Sequence, residues 1–137
     1  MPVEKEKEVP LIPAKPLTIE EKFVVRTQKH VLDIPIQGDS IELRFYDNAE
    51  IDGDSITLFL NQKMVFQHIF LKLKPYVIKL AVKDLNETNE LVMVAENLGR
   101  IPPNTSYMVA IVDGQRYEAN LQSTEEISAM IKLIKPK

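Results

Sequence analysis

The sequence predicts an all-β fold: an antiparallel β-sandwich or jelly roll of about seven to nine strands behind an extended, proline-spaced N-terminal leader. Three observations carry this. Apolar and polar residues alternate with period two through most of residues 41–121. Turn-forming residues interrupt the alternation at short intervals. Asp113-Gly114 joins two such runs as a hairpin signal, since both residues accept positive φ.

Residues 1–21 read as a leader or linker, and residues 22–137 as the sandwich. The leader opens with a charged run and continues through Pro10, Pro13 and Pro16. Proline at every third position favours an extended segment without internal hydrogen bonds. Phe23-Val24-Val25-Arg26 is expected to open the first strand. Ile41, Leu43 and Phe45 then alternate with Glu42, Arg44 and Tyr46, and Ile56, Leu58 and Leu60 with Thr57, Phe59 and Asn61. Asn61-Gln62 offers a tight reversal into a strand over 65–71. Further strands are expected over 77–82, 91–95, 107–112 and 115–121. The core is expected to hold Ile41, Leu43, Phe45, Leu58, Leu60, Leu91, Met93, Ala110 and Leu121. The last segment fits two patterns. Ser123-Thr124-Glu125-Glu126 matches a helix capping box, with Ile127, Met130, Ile131 and Ile134 on one helical face; Ala129, Ile131 and Leu133 also fit a strand.

Two strands, 91–95 and 108–112, are apolar on both faces, the pattern of strands covered on both sides. One sandwich has one interior, so the second face needs cover from the leader, the chain end or another subunit. A protein partner or self-association is therefore expected.

Composition narrows the chemistry. The 137 residues suit one domain and carry a formal net charge of −3. Lys and Arg do not cluster with stacking aromatics, so no nucleic acid is expected as partner. There is no cysteine, which removes disulfides, thiol catalysis and cysteine-ligated zinc. His30 and His68 stand far apart, with no HExxH spacing. No nucleophile elbow or glycine-rich phosphate loop occurs, so no enzyme is expected. No apolar run reaches the roughly 20 residues that cross a bilayer.

Two segments carry candidate ligands. The run from Tyr46 to Ser55 holds Asp47, Asn48, Asp52 and Asp54 around Gly53. Hard cations take oxygens from such loops, so calcium is the one cofactor considered, although the spacing is not that of an EF-hand. The competing reading is a turn in which Asp and Asn bond their own backbone. The second segment runs from Asn89 to Asn104. Glu96, Asn97 and Asn104 could bind hydroxyls there, and Arg100 could pair with a carboxylate; the competing reading is satisfaction of loop backbone groups.

At these segments the chain resembles a domain of exported, largely uncharacterised Bacteroidota proteins. The shared strings are YDNAEIDGDSITLFLN and NELVMVAENLGRIPPNTSYMVAIVDGQRYEANLQST. The resemblance covers about residues 40–123. It implies a β-sandwich, an exported location (periplasmic, cell-surface or secreted) with the signal peptide absent from this sequence, and a strand over 128–134. A more local likeness, in IDGDSITLFLN and NELVMVAENLGR, is to the jelly-roll accessory domains of β-galactosidase-type glycoside hydrolases. Two functions are thus expected. The first is a non-catalytic module for protein interaction or structural display. The alternative is a carbohydrate-binding module, in which Tyr46, Tyr107 and Tyr117 replace the missing tryptophan as the aromatic platform.

Overall fold

The computed structural model describes residues 17–47, 55–71, 74–96, 104–124 and 126–136. They form nine strands and one short α-helix, α1 (Ile19–Val25). The strands are β1 (Thr27–Pro35), β2 (Ser40–Asp47), β3 (Ser55–Leu60), β4 (Lys63–Phe70), β5 (Tyr76–Ala81), β6 (Thr88–Ala95), β7 (Asn104–Val112), β8 (Gln115–Ser123) and β9 (Ile127–Ile134). They make two sheets, one in the order β1-β9-β6-β3-β4 and the other β5-β2-β7-β8. The expected all-β sandwich is what forms. Every strand pair is antiparallel except β1 with β9, which run parallel.

Only two connections stay within a sheet, β3–β4 and β7–β8. Both are two-residue hairpins whose turn residues have positive φ: Asn61 at 52° and Gln62 at 73°, Asp113 at 49° and Gly114 at 80°. This matches the right-handed twist of the flanking strands. All other connections cross between sheets, and this wraps both layers around one core. Ile41, Leu43 and Phe45 of β2 meet Met108, Ala110 and Val112 of β7 from one sheet. Ile56, Leu58, Leu91, Met93, Ile131 and Leu133 come from the other. Eight of the nine expected core residues are buried, and Leu60 packs against them part-buried.

Two expectations change, and one open choice is decided. Phe23–Arg26 does not open a strand. Thr18 and Glu21 form a capping box, with Glu21 N–H donating to Thr18 Oγ1 at 3.1 Å and Thr18 N–H to Glu21 Oε1 at 2.8 Å. That cap starts a helix across the expected leader boundary and places Ile19 and Phe23 on one face. The first strand begins only at Thr27. At the chain end, where helix and strand patterns competed, the hydroxyl of Thr124 accepts from the N–H groups of Glu126 and Ile127, both at 3.0 Å, in a turn that leads into the strand the resemblance implies. Finally, the chain end does not cover a second face: Ile131 and Leu133 of β9 belong to the main core.

The second face of β6 is covered from within the chain. Val92 and Val94 form a smaller cluster with Phe59 of β3 and Met130 of β9, and Ile19, Phe23 and Met64 pack onto it. Phe23 stacks on Phe59 with ring centroids 4.2 Å apart. Thus α1 covers the outer face of the five-stranded sheet over β3, β6 and β9, while Phe70 of β4 stays 63% exposed.

Candidate functional site

Strand topology brings both candidate segments to one pole of the sandwich. Asp47 ends β2 opposite Ser106 of β7, and Asn104 opens β7 opposite Ser123 of β8. Ser55 opens β3 beside the end of β6, where Glu96 N–H donates to the Ser55 carbonyl at 2.9 Å. Asp47 and Asn104 are placed by their backbones alone. Asn48, Asp52, Asp54, Asn97 and Arg100 lie outside the described residues. Among the described residues, no group of three or more His, Asp or Glu could hold a metal ion.

Glu96 is the one candidate whose side chain can be followed, and it serves the fold. Its carboxylate accepts from the hydroxyls of Thr57 and, at 3.2 Å, Ser55, both buried. Its carbonyl accepts from Lys22 Nζ, and the neighbouring Ala95 carbonyl accepts from Arg26 Nη1 at 3.1 Å. Two basic residues from the end of α1 thus bond strand-end carbonyls of β6. Burial pushes the Lys22 pKa down, the nearby Arg26 charge adds to that, and Glu96 opposes it. The cluster clamps the helix to the sheet.

The other outer face, that of the four-stranded sheet, has no helix over it among the described residues. Alternation puts Glu42, Arg44 and Tyr46 of β2 on this face, beside Tyr107, Val109 and Ile111 of β7. Arg116, Glu118 and Asn120 of β8 lie on it too, as do Val77 and Lys79 of β5, opposite Arg44 and Glu42. Register fixes the rows: Tyr46 opposite Tyr107 and Tyr107 opposite Asn120; Arg44 opposite Val109 and Val109 opposite Glu118; Glu42 opposite Ile111 and Ile111 opposite Arg116. The Tyr46 and Tyr107 rings lie 5.8 Å apart, tilted by 41°. Tyr117, the third expected platform residue, packs against the main core.

Four of the charges on this face are paired with one another, and Lys79 of β5 stands exposed opposite Glu42. Arg44 Nε donates to Glu42, and Arg116 Nε donates to Glu118 Oε2 at 2.8 Å. The Tyr107 hydroxyl donates to the other oxygen of Glu118. Those bonds hold the Glu118 carboxyl below its ordinary pKa, the tyrosine contributing most and Arg116 next. Glu42 and Glu118 in turn hold the Arg44 and Arg116 guanidinium groups above theirs, with smaller contributions from Tyr46 and Tyr107. Val109 is fully buried although it points outward, so the long side chains around it form a polar-aromatic surface over an apolar floor. At the β8 edge the face continues through Asn120 into a groove of about 300 Å³ lined by Gln122 and by Lys29, His30 and Val31 of β1.

Sequence reasoning found the two tyrosines but not their partners. Glu42, Arg44, Arg116 and Glu118 read as the solvated half of an alternating strand. The signal available was the i, i+2 pairing of opposite charge in ELR and RYE, which puts an Arg and a Glu side by side on one face. Comparison of the chain with protein families, curated proteins and solved structures finds no match.

Proposed function

We propose that this chain is a non-catalytic recognition module of an exported protein, and that it takes its ligand on the outer face of the four-stranded sheet. The Tyr46–Tyr107 pair carries the reading. Two aromatic rings are held side by side on a rigid sheet, ringed by fixed donors and acceptors, which is how binding sites combine contact area with orientation. The choice of surface is supported by α1, which covers β3, β6 and β9 on the outer face of the other sheet. Export rests on the resemblance of the ENLGRIPPNT segment.

A second reading, contact with another protein chain, is supported by α1 itself. Val24 and Val25 are 76% and 63% exposed, and with Leu17 they line an apolar strip on the side of the helix away from the sheet. Backbone amide NMR separates the two. With a panel of neutral polysaccharides, acidic polysaccharides and soluble peptides, shifts confined to residues 42–46, 107–111 and 116–120 support the sheet face. Shifts confined to residues 17–25 support the helix reading, and degradation of any panel member contradicts a non-catalytic module.

A further inference from the structure

We infer that the free edge of β8 takes up an extended segment of a partner protein, added as a strand in the groove between β8 and β1, with an acidic residue of that segment beside Lys29. The site is the edge of the four-stranded sheet and stands independently of its outer face. Three features carry it.

The first is the supply of backbone partners. β8 ends its sheet, and β7 is the strand bonded to it among the described residues. The two-residue turn at Asp113-Gly114 makes Val112 and Gln115 a hydrogen-bonded pair. By the same register the odd-numbered residues from Gln115 to Ser123 bond β7, and Asn120 and Gln122 point their N–H and C=O groups away from it. The half of β8 from Ala119 to Ser123 carries no charge and no proline, the residues that guard a free edge against pairing. The edges at the far flank are less suited. β4 has two irregularities in its ladder, and β5 is the shortest of the four edge strands.

The second is shape. The groove holds about 300 Å³ and runs between Asn120 and Gln122 on one side and residues 29–31 of β1 on the other. Ile127 and Ala129 of β9 also line it, and Val31 is 38% exposed. A strand presents alternate side chains to opposite faces. An added strand would therefore turn apolar side chains toward Val31, Ile127 and Ala129 while its backbone bonds Asn120 and Gln122. Main-chain bonds then give affinity, and the pocket beside them gives selectivity.

The third is charge. Among the described residues that line the groove, Lys29 and His30 are the ionisable ones, and both are basic. The flanking carboxylates are engaged elsewhere: Asp33 with His30 at 2.6 Å, and Glu118 with Tyr107 and Arg116. Glu126 precedes Ile127 but does not line the groove. Lys29 is exposed. A segment bearing Asp or Glu is thus matched here, and one bearing Lys or Arg is repelled.

The test selects a displayed library of random dodecapeptides on the full chain. Synthetic copies of the enriched peptides are then followed by fluorescence anisotropy and backbone amide NMR. The expected peptides carry Asp or Glu and shift residues 27–31, 118–124 and 127–129. They should also slow hydrogen exchange at the Asn120 and Gln122 amides. Lys29→Glu should weaken binding about fivefold or more, and changing the acidic residue of the peptide to lysine should restore binding to that variant. Gln122→Pro removes an edge N–H that β7 does not use, and should weaken binding about tenfold or more. If the proline variant does not fold, Lys29→Glu at an exposed side chain still carries the test. Absence of enriched peptides, shifts confined to other surfaces, or equal binding by Lys29→Glu would overturn the inference. Asn120 and Gln122 amides already slow in the free chain would mean that the chain fills its own groove. Slowing that grows with protein concentration would mean that a second copy does. Either would overturn a partner segment as the occupant.

Discussion

Phe23 of α1 lies flat against Phe59 of β3, with ring centroids 4.2 Å apart and planes 16° from parallel. This contact covers part of the outer face of the five-stranded sheet. It fastens a seven-residue helix, too short to be stable alone, over the apolar outer side of β3, β6 and β9. Removing it should release the helix. Phe23→Ala should cost about 2 kcal/mol, below the range for a fully buried phenylalanine because Phe23 is part-buried. Phe59→Ala should not add fully to it, and the coupling between the two should be about 1 kcal/mol. Urea denaturation of the two single variants and the double variant measures both numbers.

Asn89 is the best-connected polar group in the core. It is fully buried, and its Nδ2 donates to the carbonyls of Asn86 at 2.8 Å and Leu133 at 3.0 Å. Its Oδ1 accepts from Asn86 N–H at 2.8 Å and Asn61 Nδ2 at 2.9 Å. One amide therefore ties the start of β6, the β3–β4 turn and the end of β9. Asn89→Ala should cost roughly 3 kcal/mol or more, because several buried partners lose their bonds at once. Asn89→Asp should be at least as harmful, since an acceptor would face two carbonyls. Thermal denaturation of both variants checks the order.

The β3–β4 turn offers a stabilising change. Gln62 is exposed at φ 73°, a conformation that costs an L-residue about 1 kcal/mol and glycine nothing. Gln62→Gly should raise stability by about 0.5 kcal/mol, part of the gain being lost to unfolded-state entropy. Gly114→Ala at φ 80° should cost about 1 kcal/mol for the same reason, without any clash, since open space surrounds the added methyl. Opposite shifts in urea midpoint are expected from the two variants.

The sheet face makes a pH prediction. Glu118 has its folded-state pKa lowered from 4.5 by the Tyr107 hydroxyl and Arg116. A depressed carboxyl contributes its stabilisation above the unfolded pKa and loses it as pH falls through the folded one, so the contribution should fade in the acid range below about 4.5. In an NMR titration of the side-chain carboxyl, Glu118 should titrate below an ordinary glutamate. Tyr107→Phe, which removes the larger cause, should move it back toward the ordinary value.

Much of this was legible in the sequence, and the failures have physical causes. Strands β2, β4, β5 and β8 declare themselves because one face is in the core and the other more exposed, β6 and β7 because they are apolar on both faces, and the Asn61-Gln62 and Asp113-Gly114 reversals are local chemistry. β1 is hidden because it is an edge strand paired only with β9, with Ile34 its one fully buried side chain. α1 is hidden because Phe23-Val24-Val25 looks β-prone, and the capping box at Thr18 and Glu21, which overrides that preference, lies in the segment read as a leader. The candidate site was half legible. Tyr46 and Tyr107 were read as platform residues, but that they stand opposite each other depends on the long-range pairing of β2 with β7. No local pattern encodes that pairing.

The central claim is that the outer face of the four-stranded sheet, and not the surface of α1, holds the ligand. Isothermal titration calorimetry tests it most directly, using the panel member that gives the largest amide shifts against the parent, Tyr107→Ala, and the double variant Val24→Ser, Val25→Ser. The account predicts binding that falls about tenfold or more in Tyr107→Ala and is unchanged in the double variant. Binding unchanged in Tyr107→Ala and lost in the double variant would contradict it.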